Sequence, residues 1–180
     1  MAAKRKWTWK EAFVDALEGA KLGLPPYQCF VGFCYDLGKG VSKDIKLAVY
    51  WYENAARSGS TDGMFNLALM CEAGRGTQCN AKRATKLYEK AASKGHLQAR
   101  TNLAVRYLDG CGVRQNIAEG IRLLRISARR GDDVAQYNLG RAYLDGEGVK
   151  KNETHARTWL SKAATRGHSK ARRLLKSVQR

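Results

Sequence analysis

Proline is nearly absent from the 180 residues, with two copies, and acidic side chains are scarce beside basic ones, 16 Asp plus Glu against 33 Lys plus Arg. So little proline excludes a polyproline or collagen-like chain, and a 44% hydrophobic share excludes one too polar to build a core. No run approaches the ~20 apolar residues of a membrane-spanning helix. The opening residues, Met1 to Lys10, carry charge without the apolar stretch of a secretory signal, so a cytoplasmic location is the expectation. The cysteines, Cys29, Cys34, Cys71, Cys79 and Cys111, are odd in number, which argues for reduced thiols over a disulfide framework. The shortage of acid leaves a net charge of +17, which attracts nucleic acid, anionic membranes or acidic proteins without choosing among them.

What the chain has is glycine in register. Gly23, Gly59, Gly95, Gly131 and Gly167 recur every 36 residues, as do Gly38, Gly74, Gly110 and Gly146, and again Gly40, Gly76, Gly112 and Gly148. Leu67, Leu103 and Leu139 keep the same spacing, as do Ala56, Ala92, Ala128 and Ala164, so the chain is a tandem array. Each unit divides into two helical stretches. In the first, helix A, Ala99, Leu103 and Tyr107 form a stripe at every fourth residue. The Gly-x-Gly pair breaks it, and Asp44, Asn80, Asn116 or Asn152 follows as the N-cap of helix B. The expected buried stripe of helix B is Ala48, Trp51, Tyr52 and Ala55, repeated as Ala84, Leu87, Tyr88, Ala91 and as Ala156, Trp159, Leu160, Ala163. Lys94, Arg130 and Arg166 precede closing glycines, where a cation meets the negative end of a helix.

One such unit cannot bury its stripe alone, so neighbours must stack, and the end units must face water. Residues 7 to 22 read as a lone B-type helix, and 169 to 178 as a lone A-type helix made polar by Lys170, Arg172, Arg173 and Lys176. The run Ala135, Leu139, Gly140, Tyr143, Gly146, Gly148, Val149, followed by Ala156, Trp159, Ala163, Ala164 and Gly167, resembles the Sel1-like repeat, a relative of the tetratricopeptide repeat. The second copy departs most, with Cys71 for tyrosine and Thr77 for valine. The resemblance implies an all-α, right-handed superhelical solenoid of α/α repeats acting as a protein-interaction scaffold or adaptor. Its parts would be a capping helix in 1–23, repeats at 24–59, 60–95, 96–131 and 132–167, and a basic capping helix in 168–180. It also implies A helices on the concave side and B helices on the convex side. Some bacterial members carry disulfides between adjacent helices, at columns that here hold Ala56 and Gly63. Cysteine-rich members have been linked to β-lactam binding, for which no motif maps onto this chain.

The A-helix positions turned away from the intramolecular stripe give an apolar and aromatic strip: Phe33, Phe65, Leu69, Val105 and Tyr137, with Arg141. Such a strip suits an extended peptide or a helix, and equally suits packing between repeats. Phe65 and Tyr137 share a column with the small Cys29 and Thr101, as expected where packing does not dictate the residue. The cations concentrate on outer B faces, at Lys82, Lys86, Arg122, Arg125 and Arg129. That patch offers a second reading, binding of nucleic acid or an acidic partner, although the aromatic platforms of single-strand recognition are lacking there. The Gly-x-Gly loops close helices instead of following strands, so they are turns and not phosphate cradles. His96 and His168 lie two repeats apart and His155 is on a B helix, so no ligand pair follows from spacing. Neither a catalytic set, a metal nor a cofactor is expected.

Overall fold

Ten α-helices make up the secondary structure of the computed structural model, which describes residues 7–178. They are α1 (Trp9–Lys21), α2 (Pro25–Leu37), α3 (Ile45–Arg57), α4 (Thr61–Ala73), α5 (Ala81–Ser93), α6 (Leu97–Asp109), α7 (Ile117–Arg129), α8 (Asp133–Asp145), α9 (Glu153–Thr165) and α10 (Ser169–Val178). The even-numbered α2 to α8 are A helices and the odd-numbered α3 to α9 are B helices.

The helix ends follow from the sequence columns. Backbone N–H groups donate to the side-chain oxygens of Asp44 at 3.0 Å, Asn80 at 2.8 Å, Asn116 at 3.0 Å and Asn152 at 2.9 Å, so all four expected B-helix caps form. Left-handed backbone occurs, among the described residues, only at the thirteen glycines of the three columns. Three glycines of the second Gly-x-Gly column also face neighbours too close for a side chain: a Cβ on Gly76 would lie 2.7 Å from the Ile45 carbonyl oxygen, and those on Gly40 and Gly148 would run into the Trp9 carbonyl and the Ile117 side chain. Gly40, Gly76 and Gly148 thereby seat their loops against α1, α3 and α7.

The chain forms two units, Met1–Ala91 and Ala92–Arg180. In the first, α1 packs on α2, α2 on α3 and α3 on α4. Its core holds Phe13, Ala16, Val31 and Cys34, then Ala48, Tyr52 and Ala55 of the α3 stripe. In the second, α6, α7, α8, α9 and α10 pack in succession, around Leu103, Leu124, Leu139, Leu160 and Ala163. One part of the expected stripe differs: Trp51, Leu87 and Trp159 are half-buried, Trp51 packing at the edge of the Phe13–Val31 cluster and Leu87 and Trp159 lining clefts beside the preceding B helix.

A second set of ties joins successive repeats. Gln28 Nε2 donates to the Ala20 carbonyl at 3.4 Å, Arg100 Nη2 to Ala92 at 3.3 Å and Gln136 Nε2 to Ala128 at 3.0 Å, so one A-helix column satisfies carbonyls at the preceding B-helix end. The ends of the array differ from each other. On α10 the exposed residues include Lys170, Arg172, Arg173 and Lys176, whereas α1 and its lead-in expose Trp7, Trp9 and Val14. Trp9 is held there, stacked 6.3 Å from Phe30 with the Lys39 ammonium 5.5 Å over its ring.

Candidate partner-binding surfaces

The A-helix strip divides between the two units. In the first unit Phe33 packs against the Phe13–Val31 cluster, with Trp9 and Phe30 around it at 6.3 and 6.4 Å. Phe65 is half-buried, its ring 6.0 Å from Tyr88. Leu69 is the accessible member, at 39% exposure. The acidic residues beside it have internal partners: Asp36 is paired with Arg75, and Glu72 accepts from the Tyr88 hydroxyl at 2.8 Å. In the second unit Val105 is half-buried, Arg141 is exposed, and Tyr137 stacks on His168 at 4.6 Å against the Leu160–Ala163–Ala171 cluster.

Packing does dictate the column of Phe65 and Tyr137. Thr101 is buried at 1% exposure, and Cys29 accepts from Asn66 of the next repeat at 3.6 Å. The small residues are therefore seam residues, and the open part of the strip lies one turn on, at Leu69 and Arg141.

The two column-sharing histidines have structural work that spacing did not reveal. The Ala99 N–H donates to His96 Nδ1 and the Ala171 N–H to His168 Nδ1, each at 3.1 Å, so both are N-caps of A helices. His155 stacks on Tyr143 at 5.1 Å. Among the described residues no cluster of His, Cys, Asp or Glu has the makings of a metal site. All five cysteines are free thiols. Burial pushes the Cys29 thiol up to about 11, opposed by the Asn66 hydrogen bond, and raises Cys34 and Cys71 as well.

Of the basic patch, Lys82, Lys86, Arg122, Arg125 and Arg129 are all exposed on B helices. Arg122 is spent locally: its guanidinium makes two bonds to Glu119, at 2.6 and 2.7 Å, and holds that carboxyl below its usual range. Arg129 instead lines a cavity of about 380 Å³ together with Arg130, Gln136, Trp159, Lys162 and Arg166. Sequence columns counted singly hide this notch, because its cations come from two B helices and their closing turns. The first unit has the same notch, about 200 Å³, lined by Glu53, Arg57, Met64, Arg83, Leu87 and Lys90. There Glu53 pairs with Arg57 at 3.2 Å and with Arg83 at 2.5 Å.

Comparison with known proteins follows the same frame. The model of the Sel1 repeat family matches four times, at residues 25–60, 61–96, 97–132 and 133–168. A solved protective antigen of uropathogenic Escherichia coli with an SLR fold is 34% identical with a TM-score of 0.83, over 88% of this chain and 34% of that one. A Sel1 repeat protein from Oxalobacter formigenes is 29% identical with a TM-score of 0.80, over 94% and 49%. A 46-residue stretch, 26% of the chain and 7% of the relative, is 46% identical to the chitin synthase regulator SKT5 of Saccharomyces cerevisiae. The chain thus spans half or less of the length of each of these proteins.

Proposed function

We propose, from the premise that this chain belongs to the Sel1 repeat family, that it is a non-enzymatic adaptor whose A-helix strip takes an extended peptide or helix of a partner protein. Sel1 repeat proteins generally mediate protein–protein interaction, and their fold is an all-α solenoid. The observation that carries the finer reading is Leu69, an exposed leucine beside Phe65 on a face whose acidic neighbours are already partnered. Apolar contact there gains from burial while the surrounding charges need no new partner. In the second unit Arg141 occupies the column of Leu69, so that unit's strip suits an acidic or carbonyl group where the first unit's suits an apolar side chain.

The test uses a photo-crosslinking residue placed in the full chain at Leu69 or, separately, at Lys82, in nuclease-treated lysate. The expected result is a discrete protein adduct from position 69 that an excess of the unlabelled native chain competes away and an excess of the Leu69→Glu chain does not. Adducts from position 82 alone would move the interface to the B helices. Nucleic acid recovered before nuclease treatment, with binding falling steeply as salt rises, would favour the basic-surface reading.

A further inference from the structure

The two notches share a register, and their chemistry differs at a few columns. Two repeats on from Glu53, Arg57, Ser58, Arg83, Leu87, Lys90 and Lys94 stand Arg125, Arg129, Arg130, His155, Trp159, Lys162 and Arg166. Of the first set, the cations Arg57, Arg83 and Lys90 line the notch with a carboxylate that bridges two of them. The second notch is lined by four cations, Arg129, Arg130, Lys162 and Arg166, and no carboxylate; Arg125 stands in the column of Glu53, and among the described residues none of the five holds an ion pair. The acid that follows in sequence, Asp132, is buried as the N-cap of α8, accepting from the Ala135 N–H at 2.7 Å.

These cations are gathered, not scattered. The Arg166 guanidinium rests against the closing turn at Gly131, where a Cβ would come 2.8 Å from its Nη2. Arg129 borders the same cavity from the end of α7, Arg130 from its C-cap and Lys162 from α9. The crowding registers elsewhere: the Arg100 guanidinium is held below its ordinary range by burial first, then by repulsion from Arg130 and Arg122. Like charges held together without a counter-ion are costly, and a compact anion of more than one charge relieves that cost best. Guanidinium forks match the oxygens of a phosphoryl group. The Trp159 ring has Lys162 Nζ 4.6 Å over it, so its face is not open as a platform for a base.

From this we infer that the second-unit notch is a binding site for a phosphoryl dianion, presented singly by a phosphorylated side chain or a small phosphate ester, in the place that Glu53 fills in the first unit.

The experiment follows the indole and arginine side-chain N–H signals of the full chain by NMR at constant ionic strength. The titrants are inorganic phosphate, a phosphoserine peptide with its unphosphorylated twin, and a single-stranded oligonucleotide. The expected result is a saturable shift at Trp159 with inorganic phosphate and with the phosphopeptide and none with the twin. Arg129→Gln and Arg166→Gln should each weaken it about tenfold, as loss of a charge-assisted contact does. Arg57→Gln, in the first-unit notch, should leave it unchanged. Saturation by phosphate without the peptide supports a small ester as the source. Shifts that grow without saturating at every basic residue overturn the proposal. So does equal weakening by Arg57→Gln, or binding confined to the oligonucleotide. Thermal melts of each variant, whose changed side chains are exposed, show that lost binding is not lost folding. The site uses no strip residue, so it stands or falls separately from the adaptor reading.

Discussion

In the first unit Glu53 stands between Arg57 and Arg83 and closes the B-helix notch with an internal ion network. In the second, Arg125 occupies its column, with Arg129 four residues on and His155 in place of Arg83. The helices, caps and glycine turns around the two notches are alike, so a few substitutions in a fixed frame, Glu53 against Arg125 first among them, change a notch that holds its own carboxylate into one that holds none. The same holds along the A-helix strip, where Leu69 and Arg141 exchange an apolar contact for a charged one at one column. Repetition supplies the frame, and the departures from it supply the surface chemistry.

The largest expected effect tests whether the frame is equally firm in both units. Tyr52 and Leu160 share the innermost column, buried at 2% and 0% exposure. Leu160→Ala should cost about 2–5 kcal/mol in denaturant unfolding, the range for a buried leucine truncated to leave a cavity, and Tyr52→Ala at least as much. A change near zero in either would show that the unit is not packed through that column.

The cap columns give the next effect. Asn116→Ala and Asn152→Ala should each cost ~1 kcal/mol, and equally, if the caps are equivalent parts of one frame. Asp132 sharpens the comparison by pH. Burial raises its carboxyl above the ordinary range, against the Ala135 N–H and the Thr101 hydroxyl, which lower it. A raised acid is held protonated more tightly by the fold than by the unfolded chain. Its stabilising contribution is full at acid pH and is lost as pH rises through the raised value. Asp132→Asn keeps a cap oxygen without the charge, so its melting temperature should gain on the wild type from acid to neutral pH. The Ser60 cap of the first unit has no such group, and Ser60→Asn should show no such trend.

Breaking the first-unit network should cost less. Arg57 and Arg83 are largely exposed, so Glu53→Gln should lower stability by about 1 kcal/mol or less, measured by thermal melts at low and high salt. The smallest effect is chemical. The first unit holds four of the five cysteines, and iodoacetamide should reach the exposed Cys79 first and the buried Cys34 and Cys71 last, followed by mass spectrometry.

Much of the frame is legible in the sequence, because it rests on residues with few alternatives. Only glycine suits the thirteen left-handed positions, and Asp or Asn four residues past the second turn glycine has the reach to cap a helix. The surfaces are less legible. Trp51 and Trp159 carry the apolar mark of a core column, yet both are only half-buried, and Trp159 borders a notch beside the preceding B helix. Thr101 is small and polar and nevertheless buried in the seam, and a histidine serving as an N-cap has no distinctive spacing. The notch cations lie on two B helices and their turns, so single-helix periodicity separates what the fold brings together. Reading Glu53 against Arg125 across the repeats would have exposed the difference.

The most direct measurement is a phosphate titration of Arg125→Glu, which gives the second unit the carboxylate of the first. The account expects the new Glu side chain to pair with Arg129, the melting temperature to rise and the saturable phosphate shift at Trp159 to disappear. Undiminished phosphate binding in that variant would contradict the claim that one column decides whether the notch is closed from within or left for an anion.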